Sequence, residues 1–352
     1  MKNFLFLTLL ALGVNTAWGQ SGDSARIKIS GYAEVYYSFD FNRPLSNDRP
    51  AFVYSHNRHN EVNANLAFVR AAYDDGIVHA NLALMTGTYA NANLAAEPGV
   101  LKNIYEANIG LQLGSKVIVD AGILPSHIGF ESAISKDCWT LTRSILADNS
   151  PYYESGVRVT YTPNKQWTLI GLALNGWQRI RRVNGNSTPA LGTQIIFKPN
   201  DNITLNYSTF LGNDKPDSVR QTRFFNNFYA IIQLSDRFGI TAGFDFGAEK
   251  KPSAEKGTNT WYSPVLIARY KLADQWFIAG RVEQYADKNG VIVANDFKMN
   301  GFSLNLDYAP RSNALFRIES RWLKSQNNYF QEHSGAFGNH DFCLSTSLAL
   351  SF

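Results

Sequence analysis

IKISGYAEVYYSFDF, Ile27 to Phe41, alternates with a period of two. Ile27, Ile29, Gly31, Ala33, Val35, Tyr37, Phe39 and Phe41 fall on one face, and Lys28, Ser30, Tyr32, Glu34, Tyr36, Ser38 and Asp40 on the other. One face suits lipid and the other water. The same split recurs at Ile203, Leu205 and Tyr207 against Thr204, Asn206 and Ser208, and at Phe302, Leu304, Leu306 and Tyr308 against Ser303, Asn305 and Asp307. The chain ends in the same style, with Phe342, Leu344, Thr346, Leu348, Leu350 and Phe352 facing one way and Asp341, Cys343, Ser345, Ser347, Ala349 and Ser351 the other.

Between these runs the punctuation is of two alternating kinds. Short turns stand at Asp74-Asp75-Gly76, Gly114-Ser115-Lys116, Pro163-Asn164-Lys165, Pro199-Asn200-Asp201, Ser235-Asp236-Arg237, Ala273-Asp274-Gln275 and Pro310-Arg311-Ser312. Longer polar connections lie near 42–61, 89–102, 126–152, 178–188, 211–222, 249–259, 287–296 and 324–339. Seven turns and eight loops join sixteen strands, an even number that brings both termini to one side. Loops sorted by length on alternate connections are the pattern of transmembrane barrels, with short periplasmic turns and longer external loops. An open sheet this wide leaves unpaired edges, and closure removes them. The fold expected is all-β: a transmembrane antiparallel barrel of about 16 strands.

Two places break the pattern. Ala64, Leu66 and Phe68, read as lipid-facing, carry Arg70 with them, which calls for a bulge near Val69 or a position close to the periplasmic end. Pro264, inside the strand from Thr260 to Leu272, calls for a bulge or a gap in the ladder.

Residues 1–19 read as an export signal, with Lys2 as the positive start, an apolar run from Phe4 to Val14, and Ala17-Trp18-Gly19 before cleavage at Gln20. The apolar run is about half of what a spanning helix needs. Residues 20–352 then form the barrel domain. Charged residues are 18% and aromatics 13%, with Asn abundant, a balance suited to a wall with one lipid face and one wet face. The net charge of +4, one unit of it from Lys2, gives no block of like charge and no nucleic-acid reading.

The longest connection, Ser126 to Tyr152, carries Ile128, Phe130, Ile134, Trp139, Leu141, Ile145 and Leu146, which a solvated loop does not need. It is expected to fold inward as a third external loop and narrow the channel. The pore-lining residues expected on inner faces are Arg269, Arg281, Arg317 and Arg321 on one wall and Glu34, Asp40, Glu106 and Asp120 on the other. Glu131, Asp137 and Asp148 on the third loop add negative charge opposite the arginines, so that a transverse field orients dipolar solutes. The competing arrangement neutralises the arginines locally, Arg281 with Glu283 and Arg317 with Glu319. Cys138 on the third loop and Cys343 on the last strand lie on one side of the membrane, within reach of a disulfide if the loop tip crosses the lumen.

No glycine-rich phosphate loop, paired-Cys zinc pattern or HExxH occurs. His56 and His59 read as solvated loop residues before they read as metal ligands. Ser126 and His127, neighbours on an extended chain, point apart and make a poor nucleophile and base, and His333 and His340 are distant partners. Neither an enzyme nor a cofactor or metal protein is expected.

GILPSHIGFES, Gly122 to Ser132, with TRSILADNSPYYESGVRVTY, Thr142 to Tyr161, and ISGYAEVYY, Ile29 to Tyr37, resembles the OmpL-like β-barrel porins of Gram-negative bacteria, especially Bacteroidetes. Where that family often has an aromatic-Ser-Arg-Ser run, this chain reads Leu141-Thr142-Arg143-Ser144. The resemblance implies an outer-membrane barrel with pore activity, no cofactor and no catalytic residues. The terminal Phe352 looks like the closing residue of bacterial outer-membrane proteins, which implies recognition by the barrel-insertion machinery. The function expected is a water-filled channel for passive diffusion of small polar solutes or ions through outer-membrane lipid. A substrate-selective channel and a non-conducting anchor are the alternatives. A homo-oligomer is allowed, with no residue that marks its interface.

Overall fold

The structure, a computed structural model, describes residues 26–252 and 255–352. The export signal expected over residues 1–19 lies outside the described residues. The alternating runs fold as β1 (Ile27–Asp40), β2 (Val62–Asp74), β3 (Val78–Thr86), β4 (Ile104–Leu113), β5 (Val117–Pro125), β6 (Tyr153–Tyr161), β7 (Trp167–Leu174) and β8 (Ala190–Asn200). They continue as β9 (Ile203–Asn213), β10 (Thr222–Gln233), β11 (Phe238–Lys250), β12 (Thr258–Ala273), β13 (Trp276–Asn289), β14 (Asn295–Arg311) and β15 (Ala314–Ser325). A small hairpin, β16 (Phe330–Gln331) with β17 (Phe337–Gly338), stands in the last loop before β18 (His340–Ser351).

Every barrel strand pairs antiparallel with its chain neighbour, and β18 closes on β1 through the register Tyr32↔Ser351 to Asp40↔Cys343. The result is a closed barrel of sixteen strands, with no free edge. Gly31 and Phe352 exchange backbone hydrogen bonds at 2.9 and 3.0 Å, so both ends of the barrel chain sit at the short-turn end. The third long loop holds two short helical turns, Ser135–Asp137 and α2 (Ile145–Asp148), and the second holds α1 (Thr88–Asn93).

Ile27, Ile29 and Val35 are exposed on the outer wall while Tyr32, Glu34, Tyr36, Ser38 and Asp40 are buried inside. Outward aromatics gather in two rows. Trp167 stacks on Phe197 and Trp276 meets Tyr308 near the short turns, and Phe302 meets Trp322 and Phe41 meets Phe342 toward the long loops. Two such belts are where amphipathic rings sit at the two membrane surfaces.

At Arg70 the expectation needs correcting. The register shifts between Glu34 and Val35, opposite Asn65, and not near Val69. Leu66 and Phe68 then stand beside Glu34 and Tyr32 on the inner face, Arg70 follows them, and Val69 faces out. The extra residue moves Leu66 and Phe68 to the inner side of the sheet, while Ala64, before it, stays opposite the outward Val35. Asn65, the residue squeezed out, donates to Glu34 at 3.0 Å and accepts from the His56 amide at 3.0 Å. At Pro264 the gap is present: the β12–β13 ladder runs from Tyr262↔Ala286 to Val265↔Glu283, and the Ser263 hydroxyl donates to the Gln284 carbonyl at 2.7 Å.

Candidate functional site

The inner wall and residues 126–152 form one hydrogen-bonded body. Gly129 donates its amide to Asn227 Oδ1 on β10 at 3.1 Å, and Ser208 on β9 donates to the His127 carbonyl at 2.8 Å. Across the lumen, Leu141 donates to Asn305 Oδ1 on β14 at 3.0 Å, Thr142 to Glu319 Oε2 on β15 at 2.6 Å and Ile145 to Glu283 Oε2 on β13 at 2.6 Å. Ser135 donates its hydroxyl to Glu34 on β1, and Lys136 Nζ reaches the Ser312 carbonyl in a short turn at 3.2 Å. The loop therefore touches opposite walls, and its tip lies next to a short turn.

The loop is shaped from within by Arg143, which is fully buried and donates to the carbonyls of Ser132, Leu141 and Ala133 at 2.6, 2.8 and 2.9 Å. Its neighbour Ser144 caps α2, accepting from the Ala147 amide at 3.1 Å, and gives its own amide and hydroxyl to Glu131. This is what the Arg143-Ser144 pair in the quoted run does. Phe130 lies against Gly243 and Trp139 against Gly239, positions where a side chain on the wall would collide with the rings.

The arginines expected to line water do not. Arg281, Arg317 and Arg321 point inward but are 1, 0 and 2% exposed. Arg281 meets Glu283 at 3.2 Å and Glu319 at 3.1 Å, and it donates to the Thr142 carbonyl at 2.6 Å. Arg317 meets Asp307 at 2.8 Å and donates to the Cys138 carbonyl at 3.0 Å. Arg321 meets Glu283 at 2.7 Å. Buried charges require partners, and these come from the same wall and the third loop. The Arg281–Glu283 pair is the one the competing arrangement named, whereas Glu319 goes to Arg281 and not to Arg317, and Asp307 was not among the expected partners. The spacing Arg281-x-Glu283 was the signal for that pair, whereas Arg317 takes Asp307 from the next strand.

The carboxylates of the opposite wall find separate partners. Glu34 is held by His56 at 3.2 Å, Glu106 by Arg70, and Asp120 by His79 at 2.6 Å and Arg158 at 2.9 Å. Asp40 accepts from the Asn42 amide at 2.8 Å. All four carboxylates are buried. Glu131 is buried beside Ser144, and burial pushes its carboxyl above the usual range. Asp137 is exposed, and Arg269 is half-buried over the Phe277 ring with Asp307 at 3.7 Å. Most charges on both walls are therefore met by near neighbours, and among the described residues Asp40 stands outside any ion pair. Asp148, on α2, is pushed by burial up to about 7, with Arg321 and Arg143 pulling the other way.

Cys138 and Cys343 are free and buried, which corrects the expected bridge. The Cys138 carbonyl sits at the level of Arg317, opposite Ser347, while Cys343 pairs with Arg321. Four residues of strand separate the two levels, roughly 13 Å at about 3.3 Å per residue. That is too far for a disulfide.

No curated protein matches the sequence. Among solved structures, the chain superposes on the anion-selective porin of Comamonas acidovorans with TM-score 0.62 at 10% identity, covering 93% of this chain and 99% of that one. It superposes on the outer membrane channel DcaP of Acinetobacter baumannii with TM-score 0.62 at 12% identity, covering 93% and 97%. For the trimer form of OmpT, an outer membrane protein of Vibrio cholerae, the values are 0.60, 10%, 93% and 99%. At such identities the likeness is one of fold. A family model described as "Putative beta-barrel porin-2, OmpL-like" matches residues 26–352, the whole barrel and its loops, and the chain accordingly belongs to the OmpL-like β-barrel porins.

Proposed function

We propose that the protein is an outer-membrane channel of a Gram-negative bacterium, exported by the signal at residues 1–19, through which small polar solutes and ions diffuse passively past a constriction made by residues 126–152. The observation that carries the reading is the anchoring of that loop to both walls, at Asn227 on one side and at Asn305 and Glu319 on the other. Barrel closure makes a hole, and a loop tied across it at several points makes the hole narrow and stiff. Balanced charge in the wall supports passage of neutral polar solutes and of either ion. The reading is of a channel and not of an enzyme. Phe352 offers the insertion machinery a terminal aromatic, the apolar outer face meets lipid, and a homo-oligomer such as the trimer form of the Vibrio protein fits an outer wall of this kind.

Purified full-length protein in a planar bilayer tests this. Expected are discrete, stable conductance steps, smaller than those of a barrel of equal strand number with an empty lumen. Deleting residues 130–146 should enlarge them. Silence of the intact protein under all voltages, with the barrel shown folded by heat-modifiable gel mobility, would leave a structural anchor.

A further inference from the structure

At the long-loop end two cavities adjoin. One, of about 490 Å³, is walled by Phe52, Phe297, Phe330, Ile292 and Val293. The other, of about 350 Å³, holds Arg179, Lys215, Arg223 and Asp148. Tyr54, Asn149 and Ile292 line both, so the cavities share a wall. Together they fall within the roughly 300–1,000 Å³ of small-molecule sites.

The apolar cavity is built, not incidental. The connection from β13 to β14 carries Val291-Ile292-Val293, and the buried Asp287 accepts from all three of their amides at 2.9, 2.7 and 3.0 Å. That clamp turns an apolar tip inward, toward Phe52 and Phe297, whose rings meet edge to face at 5.0 Å. On this side Arg49 meets Asp341 at 3.1 Å, Asp48 pairs with Arg58, and Asp40 on the cavity wall accepts from the Asn42 amide. On the polar side Arg223 is shared between Glu249 at 2.7 Å and Asp214 at 3.5 Å, while among the described residues Arg179 and Lys215 have no ion-pair partner. Asp148, with its carboxyl at about 7, supplies less than a full negative charge near neutral pH.

We propose that this mouth is a recognition site for an amphipathic anion, with an apolar ring or short chain lodged against Phe52, Phe297 and Phe330 and a carboxylate or similar small anionic group held by Arg179 and Lys215. The inference rests on the channel reading and deepens it by naming a solute class. A solute with both parts removes apolar surface from water and meets cations free of ion pairs at once. A bare anion gains only the second, and an apolar amine gains the first and is repelled.

Calorimetric titration of the full-length protein in detergent, with phenylpropionate, propionate and phenylpropylamine as probes, tests the site apart from conduction. Phenylpropionate should bind at least about tenfold more tightly than either of the others, and the Arg179→Ala/Lys215→Ala variant should lose about tenfold. In the bilayer, phenylpropionate added on the long-loop side should interrupt the current where propionate does not. Because the double variant could fold poorly, heat-modifiable mobility is checked, and Phe52→Ser supplies a second variant, expected to lose the preference for the ring while retaining weak anion binding. Equal binding of propionate or of the amine, or unchanged affinity in the folded double variant, would overturn the proposal. Selective binding without conductance would sink the channel reading and keep the site. Conductance without selective binding would do the reverse.

Discussion

Among the described residues Arg143 has no carboxylate in hydrogen-bond range, and its guanidinium instead spans the carbonyls of Ser132, Ala133 and Leu141, tying two ends of the loop's inner turn together. Removing it leaves the Ala133 and Leu141 carbonyls without donors, at about 1–3 kcal/mol each, and Ser132 with only the Cys138 thiol. Arg143→Met keeps the length and loses the donors. It should lower stability by several kcal/mol, read as a fall in the urea midpoint at unchanged slope, and open residues 126–152 to protease, read by mass spectrometry of limited digests. Arg143→Lys should recover only part of the loss, because an ammonium cannot reach three carbonyls in the plane of a guanidinium. A loop as resistant in Arg143→Met as in the natural chain would contradict this role. From the sequence, Arg143 stood out only through the resembling run. Its work depends on carbonyls, and carbonyls carry no residue identity.

Gly31 and Phe352 mark the seam where β1 meets β18. A Cβ on Gly31 would stand 2.3 Å from Phe352 Cζ, so the terminal ring lies flat on the glycine. Gly31→Val should displace the ring and weaken closure by about 1–3 kcal/mol, the usual cost of overfilling a packed site. Refolding into lipid vesicles, followed by gel mobility, measures it. Phe352→Ala in the same chain removes the collision and should relieve part of the defect. A Gly31→Val chain that closes as readily as the natural one would show that the ring does not depend on the glycine. The seam was legible at its C-terminal side, from alternation and the final Phe. Its need for glycine was not, since nothing in a linear chain says which residues 321 positions apart will touch.

Both thiols are free, with Cys138 and Cys343 buried at 5 and 1% exposure, and burial pushes Cys138 up to about 11. Thiols so placed react slowly. The folded protein should take up no alkylating reagent in minutes, and the denatured, unreduced chain should gain two groups by mass. A denatured chain that gains none without reductant would restore the tether. The same measurement reports on the whole molecule, because both cysteines become reachable only when the loop leaves the lumen or the barrel opens.

Sixteen strands, the sorting of loops by length and the inward or outward side of most residues could be read from residue order, because each strand meets lipid on one side and the lumen on the other over its full length. The exceptions obey the same logic: one extra residue at Asn65 reversed the sides of Leu66 and Phe68. The contacts inside the barrel could not be read. Alternation gives a side chain its face but not its height, and height depends on how each strand is staggered against the next around a closed ring. Cys138 and Cys343 lie on one side of the membrane by the order of loops and strands yet stand four residues apart in level, and Arg317 finds Asp307 across one ladder in place of Glu319 on its own strand. The loop's partners are more remote still, with Ser135 and Arg317 182 positions apart. Charges buried in a narrow lumen must be matched within a few ångströms, and which ones meet is settled by stagger and by the path of the loop, neither of which is a local property of the chain.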